Sequence, residues 1–379
     1  MTVVSCAGEG FFSEFASKSF DGYLVRSICR TYDEYKEKRV TGRLWEETQE
    51  LLNELSPDVV AIPGWASCES FAALNWCREN GVPTILMSES QKDDADRSKL
   101  KETLKSLIVS QFDTGFAGGE SSRDYLNQLG LQHKDIMLGY NAVDNEHFSI
   151  GAANARTKRR RLIEEYDLPQ QFLLASCRFI EKKNLVRLIE AYAQAKRKNA
   201  EEVPDLVILG NGTERDKVVE KAVELNIISN VHLHGFRSYD ALPTYYGLSR
   251  GFIHIATHEQ WGLVINEAMA SGTPVIASSR CGATRTLLAD NEAGFVVDPF
   301  DVGEISESIT SLCQLSAGSR STMIAKSQEI VSAWGSEKFG SGMYAAALRA
   351  IELPRKPPLK YVARLFLERL ARRQIGDVT

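Results

Sequence analysis

The stretch His258–Thr273, HEQWGLVINEAMASGT, decides how this chain is read, because it sets two carboxylates, Glu259 and Glu267, eight positions apart across a turn that opens a helix. Eight residues is about two helical turns. With a helix starting near Gly262, Glu259 lies in the loop before its N-terminus. The free amides of Trp261, Gly262, Leu263 and Val264 are beside it, and Glu267 projects from the second turn. Unpaired N–H groups and the helix dipole favour an anion such as a diphosphate at that point. One carboxylate then faces hydroxyls on one side of the phosphates and the other those on the far side, an arrangement suited to a nucleotide sugar.

Outward from this stretch the pattern alternates strand and helix. Gln171 to Ser176 reads as a buried strand, followed by the loop RFIEKKN and a helix from about Leu185. Arg178 and Lys183 thus sit where a strand ends and a helix begins, a place at which two cations meet a diphosphate. Asp205 to Leu209 is a strand ending in Gly210 and Gly212, a tight turn that lets backbone approach a ligand. Asn230 to Phe236 is another, and Phe252 to Ala256 delivers His258 and Glu259. His232, His234, His254 and His258 have a spacing that allows zinc, yet no Cys or carboxylate cluster completes a site. Cys281 lies in a glycine-bearing loop without a neighbouring base to activate it.

Glu259 and Glu267 within EQWGLVINEAMASGTPVIAS resemble the E-x7-E motif of the family 4 retaining glycosyltransferases. Upstream, ASCRFIEKKN and LVILGNGTER carry the resemblance, and downstream CGATRTLLADNEAGFVVDP does, over roughly residues 136 to 299. The resemblance implies a GT-B fold, α/β with two Rossmann-like domains facing a central cleft. It also implies a retaining transfer from a nucleoside diphosphate sugar, by default a UDP-sugar, to a glycan, lipid-linked or small-molecule acceptor. The nucleotide sugar is then a co-substrate, with no cofactor and no metal. Arg178 and Lys183 match the residues that hold the donor phosphates and, with Glu259, form the catalytic set. Glu267, Gly262, Leu263, Val264, Trp261, Gly210 and Phe236 line the donor site, Glu267 at the ribose and Phe236 with Arg237 at the base. Two further readings compete: an epimerase or phosphorylase on the same architecture, and a non-catalytic sugar-nucleotide-binding protein. A dehydrogenase is disfavoured, because no GxGxxG follows a strand with an acidic residue about 20 positions on.

A chain of 379 residues is long enough for two domains with sizeable cores. The segment IMLGYNAVDNEHF, similar to the family's NGVD turn with Asn141 and Asp144 in place, puts the boundary near 150. Residues 1–150 are then an acceptor domain, 151–340 the donor domain, and 341–379 helices that return to the first domain. Early signals are thin: Thr2 to Cys6 as a strand, Gly8 and Gly10 as a turn into a helix at Phe11 to Ser17. The family's glycine-rich loop is reduced to AGEGF, so the first domain is short or remodelled. Trp45 to Leu55 reads as an amphipathic helix stopped by Pro57 before the strand Val59 to Ile62. VPTILMSES is a second strand, Leu107 to Gln111 looks strand-like, and so does Thr114 to Ala117. In parallel sheets ligands bind beyond the carboxyl ends of strands, which nominates Gly64, Trp65, Ser88, Glu89 and Ser90; Trp65, Glu89 and Ser90 are the acceptor-site candidates.

Net charge of −5 argues against a general nucleic-acid binder, and no apolar run reaches the ~18 residues of a membrane span. MTVVSCAGEGFF has no basic n-region or long apolar core, so no secretory signal is expected. Seven cysteines without paired spacing fit a reducing cytoplasm. The basic run 155–161, ARTKRRR, is best read as an exposed helix start. The tail Leu353 to Gln374 is basic and amphipathic. Packing on the first domain is its plainer role, peripheral contact with the inner membrane face the alternative. Oligomeric state is left open.

Overall fold

The computed structural model describes residues 1–6, 24–94, 98–289 and 292–372. The turn expected at Gly8 and Gly10 and its helix lie outside them. Among the described residues twelve strands run in chain order: β1 (Thr2–Ser5), β2 (Leu24–Ser27), β3 (Val60–Pro63), β4 (Thr84–Ser88), β5 (Thr114–Ala117), β6 (Ile136–Leu138), β7 (Phe172–Ser176), β8 (Asp205–Leu209), β9 (Val231–Gly235), β10 (Gly251–His254), β11 (Val275–Ser278) and β12 (Phe295–Val297). They form two larger parallel sheets, β3-β4-β5-β6 and β12-β11-β10-β7-β8-β9, while β1 and β2 pair separately. Helices between successive strands make each larger sheet Rossmann-like, and the two sheets define the two domains of a GT-B architecture. The separate β1-β2 pair is where the first domain departs from a continuous sheet.

The second sheet is buried on both faces. Phe172, Leu174, Val207 and Phe252 point to one core, and Leu173, Leu206, Ile208, Ile253 and Ile276 to the other. Near-continuous apolar runs are what a strand covered by helices on both sides requires. Parallel order puts every strand's carboxyl end on one edge, so the segments after β7, β8, β9 and β10 must converge there.

Position 150 lies inside a helix, Asn145–Thr157, whose N-cap Asp144 accepts from the His147 amide. That helix packs on Leu242–Leu248 and Leu263–Ala270 of the second domain. Arg156 within it donates to the carbonyls of Ser271 and Gly272, and Arg159 beyond it to that of Leu248, so the basic run caps helix and loop ends. Leu107 to Gln111 is a correction: Lys99–Val109 is a helix, because Leu104, Ile108 and Val109 face the core at helical spacing. The helix Ser336–Glu352 packs on β4, β5 and β6 of the first domain, and Tyr361–Arg372 packs on the helix Cys68–Asn80.

Candidate active site

At the end of β7 the chain turns through residues 177–184, and two glycines make that turn possible. Gly210 has φ +112°, and a Cβ there would collide with the Cys177 carbonyl; Gly212, φ +152°, abuts the Phe179 backbone. Phe179 N donates to Asn211 O at 2.8 Å and Gly210 N to Gly235 O at 2.8 Å, so the turns after β7, β8 and β9 are stitched together. Gly210 therefore serves the neighbouring loop first. Asn184 closes the segment in a left-handed conformation, φ 62°, which Asn tolerates. Its Nδ2 donates to the carbonyls of Ile255 (3.1 Å) and Pro299 (2.7 Å), which fixes Lys183 against β10.

Lys183 Nζ donates to Glu259 Oε2 in an ion pair whose side chains are only 12% and 16% exposed. His254 Nε2 lies 3.3 Å from the same oxygen. Burial alone would raise the Glu259 carboxyl, but the His254 hydrogen bond and the Lys183 charge outweigh it and pull it down to about 2. Burial, reinforced by Lys183, pushes His254 below its usual range, so the imidazole is neutral and donates Nε2–H to the carboxylate. Arg178, exposed at the mouth of the same loop, has no acceptor for its guanidinium among the described residues.

Gly262, φ 95°, caps the helix Leu263–Ala270 with no side-chain cap bond, so the amides of Leu263 and Val264 are open. Glu267, in the second turn, is 9% exposed, and Tyr246 Oη donates to its Oε2 at 2.7 Å. Burial pushes its carboxyl up to about 7, partly offset by that hydrogen bond. Phe236, 45% exposed after β9, completes the edge. Trp261 stands at the donor edge through its backbone amide alone, its side chain being turned inward. It is 1% exposed, its Nε1 donates to Asn266 Oδ1 at 2.9 Å and its ring packs on Trp334, because a large indole at the domain seam gains more from burial.

Across the seam, the loop after β4 faces Glu259. Burial raises the Glu89 carboxyl, with the Glu259 charge adding to it, while Asn141 Nδ2 donates to Glu89 Oε2 at 3.2 Å. Gln91 is 1% exposed and its Nε2 donates to the carbonyls of Glu259 (2.9 Å) and Gln260 (2.6 Å). Arg285 grips Asp93 through its two terminal guanidinium nitrogens, and Gln260 Nε2 lies 3.2 Å from Asp94 Oδ2 and 3.5 Å from Ser90 Oγ. Ser90 is thus on the seam. Trp65, half-buried after β3, packs edge-on against Tyr125, one strand away from Glu89.

Lys183, Glu259, the open helix start and Glu89 are brought together, with Arg178 and Phe236 on the same edge. His254, Tyr246, Gln91 and the Asp93–Arg285 pair are neighbours of the candidate site that motif reading did not place there. His254 carried a local signal, since a histidine ending a strand five residues before the first glutamate can reach back to it. His232 pairs with Asp205 and His234 with Tyr245. Cys281 is buried, and burial raises its thiol.

Residues 158–329 match the family model described as glycosyl transferases group 1. The chain is 30% identical over 176 residues to an N-acetylgalactosaminyltransferase of Campylobacter jejuni that acts on a diphospho-undecaprenol acceptor, 46% of this chain and 43% of that one. It is 24% identical over 269 residues to the alpha-monoglucosyldiacylglycerol synthase of Streptococcus pneumoniae, 68% of this chain and 60% of that one. The chain thus spans about half the length of these curated relatives. Among solved structures, a Rickettsia africae glycosyltransferase superposes with TM-score 0.72 at 15% identity, covering 93% of this chain and 99% of that one. Anabaena HepE in complex with UDP gives TM-score 0.71 at 17% identity, covering 91% and 99%. These likenesses share the two-domain fold.

Proposed function

We propose that this chain is a retaining glycosyltransferase that moves a sugar from a nucleoside diphosphate sugar, a UDP-sugar in the first instance, to a glycan or lipid-linked hydroxyl. The observation that carries the reading is the buried Lys183–Glu259–His254 cluster beside an uncapped helix start, with Arg178 free at its rim. Two cations and two open amides along the carboxyl edge of one sheet suit a diphosphate. The matched group 1 model and the lipid-linked acceptor in a relative's name support the same reading.

When the diphosphate binds, it competes with Glu259 for Lys183, and the freed carboxylate, still held by His254, turns to the hydroxyls of the transferred sugar. Glu267, steadied by Tyr246, accepts from the ribose hydroxyls, and Phe236 and Arg237 flank the base. As the C1–O–P link breaks, negative charge grows on the leaving phosphate, and Arg178, Lys183 and the amides of Leu263 and Val264 are the donors that meet it. With those donors in place a divalent ion is not needed for that task. The acceptor enters from the side of Glu89, Ser90 and Trp65 and attacks on the leaving-group face. A double displacement needs a carboxylate nucleophile on the opposite face, whereas here Glu259 is engaged with the hydroxyls of the transferred sugar and Glu267 with the ribose.

The test is a panel of UDP- and GDP-sugars incubated with lipid and glycan acceptors, with nucleotide release measured and the product's anomeric configuration read by NMR. Release of UDP with an anomer matching the donor supports the reading. An inverted product, or no release from any donor while the fold is intact, overturns it.

A further inference from the structure

The helix Tyr361–Arg372 is apolar on two sides, and only one of them is covered. Leu367 and Ala371, 5% and 4% exposed, are buried in the first domain's core with Leu370 beside them. A helix whose job was only to pack there would turn polar residues outward. Instead Tyr361 (73%), Val362 (78%), Leu365 (37%) and Phe366 (43%) are exposed, at spacings that place them on one outward arc. Exposed aromatic and aliphatic side chains grouped in this way mark an interaction surface.

The charge around that arc selects the partner. Residues 353–374 hold seven Lys and Arg against a single Glu, in a chain whose net charge is −5. Arg364 is bound to Glu79 and Glu368, which anchors the helix to the domain. Lys356 is spent on the Ser110 and Phe112 carbonyls. Lys360 and Arg369 have no acid partner among the described residues, and Arg369 falls within the outward apolar arc. Aromatic and aliphatic side chains interleaved with cations on one helical face match the interface of an anionic bilayer, where the rings enter the headgroup boundary and the cations meet lipid phosphates. Among the described residues no helix is long and apolar enough to cross a membrane, so contact is by lying on the surface.

We propose that Tyr361, Val362, Leu365 and Phe366, with Lys360 and Arg369, form a docking face for an anionic phospholipid surface. The helix sits on Cys68–Asn80, which directly follows the Trp65 loop, so docking sets the lipid surface against the domain that offers Trp65 and Glu89. The face exists whatever the donor site does, and its test is separate from that of the proposed transfer.

The experiment is sedimentation of the full chain with phosphatidylglycerol/phosphatidylcholine vesicles and with pure phosphatidylcholine vesicles at 0.1 and 0.5 M salt. Circular dichroism and UDP titration serve as checks on the fold and donor site. Binding to the anionic vesicles that weakens with salt is expected. Lys360→Ala with Arg369→Ala should lower it on the order of 30-fold, from about fivefold per cation. Tyr361→Ser with Phe366→Ser should lower it further while melting stays unchanged. Equal binding to neutral vesicles, no binding at 0.1 M salt, insensitivity to both variants, or a change of oligomeric state in place of vesicle binding would each overturn the proposal.

Discussion

Lys183→Ala probes the cluster on which the donor site rests. The substitution leaves Glu259 buried with only the neutral His254 as partner, and removing one member of a buried pair strands the other charge. Glu259 moves from 4.5 to about 2 in the folded protein. At ~1.4 kcal/mol per pKa unit that shift is worth ~3 kcal/mol near pH 7, shared between Lys183 and His254. Loss of Lys183 should therefore cost ~2 kcal/mol, or roughly 4 to 8 °C in the melting of the second domain. The sign with pH follows from a depressed carboxylate. Its stabilisation is complete above 4.5 and fades as pH falls towards 2, so the gap between wild type and variant should narrow by about half or more between pH 7 and pH 3. Urea melts at both pH values, with Glu259→Gln and the double variant completing a cycle, measure it. A Lys183→Ala protein as stable as wild type at pH 7, or one whose deficit grows as pH falls, would refute the reasoning.

Glu267 carries the opposite sign. Its carboxyl is raised to about 7, so its protonated form stabilises the fold most below 4.5. That contribution is lost as pH rises through 7, and relative to Glu267→Gln the wild type should lose ~3 kcal/mol between pH 4 and 8 by denaturant titration. Over the same range UDP affinity should rise with pH more steeply in wild type than in the Gln variant, where the terminal phosphate of UDP, with a pKa of about 6, still titrates. Arg285→Ala removes the double contact to Asp93 across the seam; small-angle scattering should report a larger radius of gyration, with UDP affinity within about twofold of wild type. Gly210→Ala forces a side chain into the Cys177 carbonyl at φ +112°, and the protein should lose more stability in a thermal melt than the ~1 kcal/mol that such a replacement gains at a compatible position.

The second domain was legible because its information is local. Apolar runs name the buried strands, Gly262 names a helix start, and the strand-to-helix positions of Arg178, Lys183 and Glu259 follow once the strands are parallel. The seam was not legible, because Gln91 with Glu259, Asp93 with Arg285 and Glu89 with Asn141 join residues far apart in sequence. The packing of the Trp261 ring was not legible for the same reason, since it is set by Trp334 and the Gly119 turn. Leu107 to Gln111 misled because a short apolar run is the same in a strand and in the last turn of a helix.

The most direct measurement is calorimetric titration of UDP into wild type, Arg178→Ala and Glu267→Ala. Saturable binding by wild type is predicted, raising stability by ~3 kcal/mol at a hundredfold excess over the dissociation constant, with both variants weakened tenfold or more. Equal affinity in all three folded proteins, or none in wild type at millimolar UDP, would contradict a nucleoside diphosphate site between these residues.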